Sequence, residues 1–339
     1  MIDVEDSLTE AGVDPAAATI SVVDTIESAA ASMVGCAVGG HYAWLERRAG
    51  ATAEHDRAVA TAVGDLLRMR PDEPPDGAGV ATVLPFVTAA AVAVYQPLPG
   101  PSLLAAPLVL ARAVDEERWR RLAEDCERLG SYLARLHRLG RRTLLPAALA
   151  RPVPAIERVG RLLRGTAPQP AAALDQLQGL LFVEEPELTR ALLARLEAMH
   201  TTAPKTLLHG QFGAGAVVLS AEESDPRLAV IGWLDAGGGP PAVDLGNFIG
   251  ELLALASSYP PRAAALEVAA RRFVAAYRES AEPQGLDEAI AAIGIDSAIK
   301  LVHQMLLHCT YFGFRADQVA AMAGVARAAS QRDWTEEAA

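Results

Sequence analysis

The chain has 339 residues, of which 51% are hydrophobic and 21% are charged, and its formal net charge is −12 at pH 7. This composition predicts a folded globular protein with a sizeable core and argues against a disordered chain. The acidic balance disfavours a general nucleic-acid-binding protein, because neutralising phosphates requires a surplus of lysine and arginine. The alanine-rich runs are interrupted well before the ~18 apolar residues that a membrane span needs, so no membrane segment is expected.

The cysteines and the N-terminal segment indicate the cellular compartment of the protein. Cys36, Cys126 and Cys309 are far apart in the sequence and lack the spacing of a metal site. Their odd number favours reduced, buried thiols over a disulfide framework, which predicts a cytoplasmic location. The N-terminal segment MIDVEDSLTE is acidic and has no apolar centre, so we do not expect a signal peptide there.

The first hundred residues have the pattern of a small sheet with one helix. Apolar runs bounded by turn residues predict five strands. The first begins at Ile20, the second begins at Met33, and the other three span 41–48, 81–86 and 91–95. The Gly39-Gly40 pair predicts a tight turn between the second and third strands. A helix is predicted over 53–67, and a hinge over 96–100. We expect residues 1–100 to form a β-rich N-terminal lobe.

From residue 101 onward the pattern becomes mainly helical. Apolar residues from Trp119 to Leu136 recur at alternating spacings of three and four, which indicates one face of a long helix ending at Gly140. Two β-like segments interrupt the helices at 206–235. The remaining helices are predicted at 171–182, 186–200, 242–257, 261–280 and 295–331. We expect residues 101–339 to form a helical C-terminal lobe, so the predicted architecture is a bilobal α+β fold.

Two loops within the C-terminal part, at 207–248, carry most of the functional information. The first reads LLHGQFGAGAVVL from Leu207 to Leu219, and the second reads VIGWLDAGGGPPAVDLGNF from Val230 to Phe248. They resemble the catalytic and metal-binding loops of the aminoglycoside phosphotransferases, the choline kinases and their relatives. That family has His-Gly-Asp with an Asn five residues after the Asp, and then Ile-Asp-Trp followed by Gly-Asp-Pro and Asp-Leu. The resemblance covers about residues 19–280 and implies a protein-kinase-like fold.

Several residues of these loops match the family pattern. They are His209, Gly210, Ile231, Trp233, Pro241, Asp244 and Leu245. The resemblance implies that His209 makes structural hydrogen bonds beneath the first loop rather than acting as a base. It also implies that Asp244 binds the backbone of that loop from the start of a helix, and that Trp233 belongs to the core.

The residues that the family uses for chemistry are replaced. Gln211 stands where the family has its catalytic Asp, Ala216 where it has a Mg²⁺-binding Asn, and Gly232 where it has a second Mg²⁺-binding Asp. Phosphoryl transfer needs a carboxylate to orient the attacking hydroxyl, and Mg²⁺ needs hard oxygen ligands. The resemblance therefore implies a degenerate, catalytically impaired member, a pseudokinase, for which no cofactor is expected.

Two further positions bear on nucleotide binding. On the strand HYAWLERR, Glu46 matches the position of the family's phosphate-gripping Lys, with Arg47 on the opposite face of the strand. A carboxylate there would repel a triphosphate, although a register shifted by one residue would restore a cation. Asp235 is the remaining carboxylate near the lost metal position. We expect it to be a solvent-facing loop residue, while a relocated metal ligand remains an open alternative.

The segment from Arg135 to Arg164 reverses the acidic balance of the chain. Besides the single acid Glu157, it contains Arg135, Arg138, Arg141, Arg142, Arg151, Arg158, Arg161 and Arg164. A solvated surface is the simpler interpretation, and docking of an acidic protein or peptide is the other. Arg158, Arg161 and Arg164 fall at helical spacings and form the candidate partner patch.

Three hypotheses for the function follow from these patterns. The first is a pseudokinase that binds and positions a partner protein or peptide in a biosynthetic complex. The second is a divergent ATP- and Mg²⁺-dependent phosphotransferase that uses Asp235. It would act on a small molecule or on Ser/Thr of a ribosomal peptide, as kinase-like proteins with a lyase partner do in lanthipeptide-type biosynthesis. The third is a small-molecule sensor that uses an emptied nucleotide cleft.

Overall fold

The computed structural model describes residues 2–14, 18–27, 31–48, 50, 52–69, 79–100, 102–105, 116–166, 172–201, 206–220 and 227–337. The chain divides into two compact units, one formed by residues 1–113 with 214–236 and the other by residues 114–213 with 237–339. Residues 214–236 therefore belong to the first unit, although the sequence analysis grouped them with the C-terminal helices.

The strands are short and lie mostly in the first unit. In chain order they are β1 Ile20–Glu27, β2 Ala31–Val38, β3 His41–Arg48, β4 Val80–Thr82, β5 Phe86–Val87, β6 Ala93–Leu98, β7 Thr206–Leu208, β8 Val217–Leu219, β9 Leu228–Val230 and β10 Gly237–Gly239.

The helices dominate the second unit. In chain order they are α1 Val4–Glu10, α2 Ala53–Arg68, α3 Glu116–Arg141, α4 Pro154–Leu163, α5 Ala172–Gly179, α6 Pro186–Thr201, α7 Ala242–Ser258, α8 Ala263–Ser280, α9 Leu286–Ala291, α10 Ile293–Phe312, α11 Ala316–Ser330 and α12 Trp334–Glu337. A π-helical turn, Leu180–Glu184, follows α5 directly.

The first unit contains a five-stranded antiparallel sheet in the order β1-β2-β3-β6-β5 and a three-stranded sheet in the order β4-β9-β8. The predicted turn between β2 and β3 is confirmed, since Gly39 and Gly40 have φ angles of 50° and 96°. Such positive φ angles suit the tight turns that match the twist of a hairpin. The single strand predicted at 81–86 is wrong, because β4 pairs with β9 in parallel while β5 pairs with β6 in the other sheet.

The first unit differs from the sequence-based expectation in two other places. The acidic N-terminal segment forms α1, whose first turn is capped by the Asp3 carboxylate, which accepts a hydrogen bond from the Asp6 N–H. This helix was not predicted. The last strand was predicted to end at residue 95, whereas β6 continues to Leu98.

In the second unit the long helix α3 packs against α8 along most of its length. A Cβ atom added to Gly130 would lie 2.2 Å from the carbonyl oxygen of Phe273, so this contact requires a residue without a side chain. β7 and β10 form a two-stranded antiparallel ladder in which Leu208 pairs with Gly237. The helical pattern predicted over 295–331 is confirmed and forms two helices, because the chain breaks between α10 and α11, where Gly313 has a φ of 78°.

Among the described residues, no helix is both long enough and apolar enough to span a bilayer.

Candidate functional site

The His209 loop of the second unit is fixed by one buried carboxylate. Asp244, in the first turn of α7, accepts a hydrogen bond from the His209 N–H at 2.8 Å and another from the Gly210 N–H at 2.9 Å. The side chain of Asn247, one turn further along α7, donates to the Gly210 carbonyl at 3.0 Å. Gly210 has a φ of 90°, which a residue with a side chain adopts only at a cost. These bonds pair the loop backbone with fixed partners on α7.

The same carboxylate has a third partner, His137 of α3. The Nε2 atom of His137 lies 3.3 Å from Asp244 Oδ2, and its Nδ1 atom lies 2.9 Å from the hydroxyl of Tyr277. Burial lowers the pKa of His137, although the nearby Asp244 carboxylate acts in the opposite direction. A neutral ring that donates from Nε2 to the carboxylate accepts at Nδ1 from the tyrosine hydroxyl. Apolar periodicity predicted the long helix that contains His137, but no sequence pattern pointed to Tyr277.

Gln211 comes directly after Gly210, whose backbone is bound by Asp244 and Asn247. Its N–H donates to Nδ1 of His209 at 3.4 Å, so the proton of a neutral His209 ring is on Nε2. His209 is fully buried and its ring packs edge-on against Phe212, with centroids 5.7 Å apart. The Gln211 side chain is an uncharged amide at the position of the family's carboxylate. An amide cannot take a proton from a hydroxyl at neutral pH.

In the first unit, Ala216 and Gly232, which the loop resemblance matches with Mg²⁺-binding positions, are neighbours. The Ile231 N–H donates to the carbonyl of Ala216 at 2.9 Å, which places Gly232 beside Ala216. Neither residue has a side-chain oxygen. Gly232 is left-handed, with φ 85° and ψ 28°, and it precedes the 3-10 turn Trp233–Asp235. Trp233 is fully buried and donates from its indole nitrogen to the Val230 carbonyl at 3.1 Å.

Arg48, at the end of β3, binds two carboxylates within the first unit. Its Nη2 atom lies 2.5 Å from Oδ1 of Asp56 on α2, and its Nη1 atom lies 2.7 Å from Oδ1 of Asp235. Asp235 is only 7% exposed, so the expectation of a solvent-facing loop acid is wrong. Burial lowers the pKa of Arg48, but the charges of Asp235, Asp56 and Glu46 outweigh this effect and raise it. We call Arg48, Glu46, Asp56, Asp235 and Tyr95 the Arg48 cluster.

Glu46 lies on the same face of β3 as Arg48, two residues earlier. Its Oε2 atom accepts a hydrogen bond from the Tyr95 hydroxyl at 3.2 Å. Burial raises the pKa of Glu46 to about 7, against the opposing charge of Arg48. A register shifted by one residue would have placed Arg47 at this position. The cation that acts on Glu46 is instead Arg48, two residues later, where the alternation of a strand returns to the same face.

The arginine-rich segment is split in the structure. Arg138 and Arg141 donate to the carbonyls of Ser280 and Gln284, and Arg142 pairs with Glu282. These three arginines therefore connect the end of α3 to the segment between α8 and α9. Arg161 and Arg164 are exposed and Arg158 is half-buried, and we find no ion pair for these three within the described ranges.

Comparisons with known proteins agree with this architecture. The sequence profile of the phosphotransferase enzyme family matches residues 56–287, which is more than half of the chain. No matching sequence was found among curated proteins.

Solved structures of small-molecule kinases share the fold. A microcompartment-associated aminopropanol kinase is 16% identical, with a TM-score of 0.58 over 98% of this chain and 97% of its own. The amicoumacin kinase hAmiN, in complex with AMP-PNP, Ca²⁺ and Ami, is 15% identical, with a TM-score of 0.61 over 97% and 93%. A choline/ethanolamine kinase family protein from Mesorhizobium loti is 14% identical, with a TM-score of 0.56 over 100% and 98%. The predicted α+β, kinase-like fold is confirmed.

The metal and nucleotide that such a fold implies can be tested against the residues present. Mg²⁺ takes oxygen ligands in near-octahedral geometry. Ala216 and Gly232 offer no side-chain oxygen, and within the described ranges no group of three or more His, Cys, Asp or Glu residues is placed to hold a metal. Arg48, the arginine on the same face of β3 as Glu46, is already bound by two carboxylates. The residues present do not fit a magnesium–nucleotide complex.

Proposed function

The chain belongs to the phosphotransferase enzyme family, and we propose that it is a member that does not transfer phosphate and instead binds an acidic protein or peptide. The Arg48 cluster is the observation that carries the first half of this proposal. Fold and chemistry depend on different residues, so a family fold does not by itself imply the family reaction.

Charge accounts for the loss of nucleotide binding. Arg48 supplies one positive charge, while Asp56 and Asp235 supply two negative charges at distances of 2.5 and 2.7 Å. Glu46 adds a further negative charge as the pH rises through its pKa of about 7. A triphosphate approaching Arg48 would have to displace a buried carboxylate from it, and breaking a buried ion pair costs several kcal/mol.

The second half of the proposal rests on the arginines of α4. Exposed arginines without an internal partner present guanidinium groups that match carboxylates in shape and charge. Arg161 and Arg164 meet this description among the described residues. We propose a partner with an acidic surface or segment, in a complex that carries out peptide biosynthesis. A cytoplasmic location fits the three cysteines, which are all buried as free thiols.

A phosphotransfer assay tests the proposal. The purified chain would be incubated with γ-labelled ATP, Mg²⁺ and acceptors that include aminopropanol, choline and ethanolamine, beside an active choline kinase as a positive control. We expect no labelled acceptor and no ATP hydrolysis above background. Labelled product that increases with enzyme concentration and requires Mg²⁺ would refute the proposal.

A divergent phosphotransferase is the second candidate, and the burial of Asp235 favours it. This carboxylate lies three residues after Gly232 and inside the first unit, where a relocated metal ligand could act. It would have to exchange Arg48 for a metal ion. Should labelled product form on a small molecule or on Ser/Thr of a peptide, Asp235→Asn should abolish it, whereas Asp65→Asn on the exposed face of α2 should not.

A further inference from the structure

An apolar cavity lies in the second unit where α4 begins and α6 ends. Its volume is about 50 Å³ and it is partly open to solvent. This exceeds the space that one water molecule requires. The residues that line it include Val153, Ile156, Met199, His200, Leu208 and Val243. A cavity with this lining favours an apolar group.

His200 is the polar side chain of this lining. It is exposed, and its Nδ1 atom lies 2.6 Å from the carbonyl of Leu196. A carbonyl oxygen only accepts hydrogen bonds, so the proton of the neutral ring is on Nδ1 and Nε2 remains an acceptor. The rim of the cavity can therefore accept a backbone N–H from a bound chain.

The same side of α4 presents an arginine near the cavity. Ile156, Gly160 and Arg164 occupy positions i, i+4 and i+8, and such positions lie above one another along one side of a helix. A Cβ atom built on Gly160 would lie 3.1 Å from Nη1 of Arg164, and no other group comes within 4 Å except the rest of that guanidinium. The guanidinium of Arg164 therefore folds back over Gly160, towards Ile156 and the cavity.

We propose that the cavity and the Arg164 guanidinium form one docking site for an extended acidic peptide segment of a partner protein. The apolar cavity takes an aliphatic side chain of the segment, and Arg164 binds a carboxylate. The choice of an acidic occupant follows from charge complementarity, because Arg164 has no ion-pair partner within the described ranges. The site specifies the partner binding of the proposed function and rests on it.

The distance between the cavity and the Arg164 guanidinium predicts the spacing of the two contact residues in the bound peptide. Ile156 and Gly160 are four residues apart on a helix, which corresponds to ~6 Å along its axis. In an extended chain, residues i and i+2 point to the same side and are ~6.6 Å apart. The segment should therefore carry an aliphatic residue and an Asp or Glu two positions from it.

A set of fluorescein-labelled Gly/Ser heptapeptides tests the site. Each peptide carries one Leu and one Glu, separated by one, two, three or four positions, and binding to the full chain is followed by fluorescence anisotropy without nucleotide. We expect saturable binding that is strongest at a separation of two positions and that weakens when Glu is replaced by Gln or when the salt concentration rises.

Variants assign this binding to the two parts of the site. Arg164→Ser should weaken it about fivefold, as expected for one partly exposed charged contact. Arg161→Ser is the matched control, because Arg161 lies outside the row of Ile156, Gly160 and Arg164, and it should leave binding within twofold. Ile156→Phe should abolish binding by filling the cavity. If that variant does not fold, His200→Trp at the exposed rim provides the same test.

Two kinds of result would overturn the site. One is an absence of saturable binding at millimolar peptide. The other is equal affinity, either for peptides of all four Leu–Glu separations or between the parent chain and the Arg164→Ser variant. The phosphotransfer assay fails or succeeds independently of these results, because the peptide assay contains no nucleotide. A chain that transfers phosphate yet binds the peptides as described would refute the proposed function and leave the site standing.

Discussion

Buried carboxylates have different partners in the two units: they bind backbone N–H groups in the loop around His209 and a guanidinium in the Arg48 cluster. In the second unit, Asp244 accepts two backbone N–H groups and lies next to His137, so one carboxylate fixes a loop. In the first unit, Asp56 and Asp235 bind Arg48, so two carboxylates neutralise one buried cation.

The difference shows that the framework of a catalytic site and its chemistry are separable. The hydrogen bonds of Asp244 involve backbone groups and do not depend on whether residue 211 is Asp or Gln. The metal positions, by contrast, require oxygen atoms in the side chains of residues 216 and 232, and Ala216 and Gly232 have none. Under the proposed function, the loop keeps its geometry without the reaction.

Removing the cation of the Arg48 cluster should have the largest effect. Arg48→Met removes the cation that Asp56 and Asp235 bind, and loss of one member of a buried ion pair costs about 4 kcal/mol. We expect a decrease of that size in the free energy of unfolding, measured by urea denaturation. Arg47→Met, one residue earlier and on the opposite face of β3, should cost less than about 1 kcal/mol. Equal effects of the two changes would show that the cluster does not stabilise the first unit.

Removing the carboxylate beneath the His209 loop should have the next largest effect. Asp244→Ala leaves the N–H groups of His209 and Gly210 buried without acceptors, and each such group costs ~1–3 kcal/mol. We expect a decrease of about 3 kcal/mol in the free energy of unfolding, while Asp317→Ala, an exposed acid in the first turn of α11, should change it little. A variant that melts like the parent chain but loses a measured activity would make Asp244 a catalytic residue instead.

Glu46 should give the first unit a pH-dependent stability. Its pKa is raised from 4.5 to about 7 on folding, so the folded state binds more protons between these values and stability falls as pH rises. The contribution is fully present below pH 4.5 and is lost as pH rises through about 7, at a cost of about 3 kcal/mol. Glu46→Gln should flatten the pH dependence of the free energy of unfolding in this window. An unchanged slope would mean that Glu46 titrates normally.

The candidate partner patch should contribute least to folding. Replacing Arg158, Arg161 and Arg164 together with Ser removes no ion pair within the described part of the chain. We expect the free energy of unfolding to change by less than about 1 kcal/mol, since surface charges contribute little to stability. A larger loss in thermal denaturation would assign these arginines to the fold rather than to a binding surface.

Sequence patterns predicted the parts of this molecule that depend on local spacing. The β2–β3 turn followed from two glycines, α3 followed from apolar periodicity, and the family followed from the motifs of the two loops. The Arg48 cluster could not be predicted, because it joins residues 48, 56 and 235 through tertiary contacts that no local pattern records. The burial of Asp235 was missed for the same reason, since a carboxylate is expected in solvent unless its partner is known.

Binding of MgATP, followed by thermal denaturation, is the most direct test of the central claim. A ligand present at 100 times its dissociation constant stabilises a folded protein by about 2.7 kcal/mol, which gives a measurable increase in Tm. With millimolar ATP we expect the same Tm in the presence and absence of Mg²⁺, because Arg48 is bound internally and residues 216 and 232 offer no side-chain ligand. An increase in Tm that requires both ATP and Mg²⁺ would contradict this account.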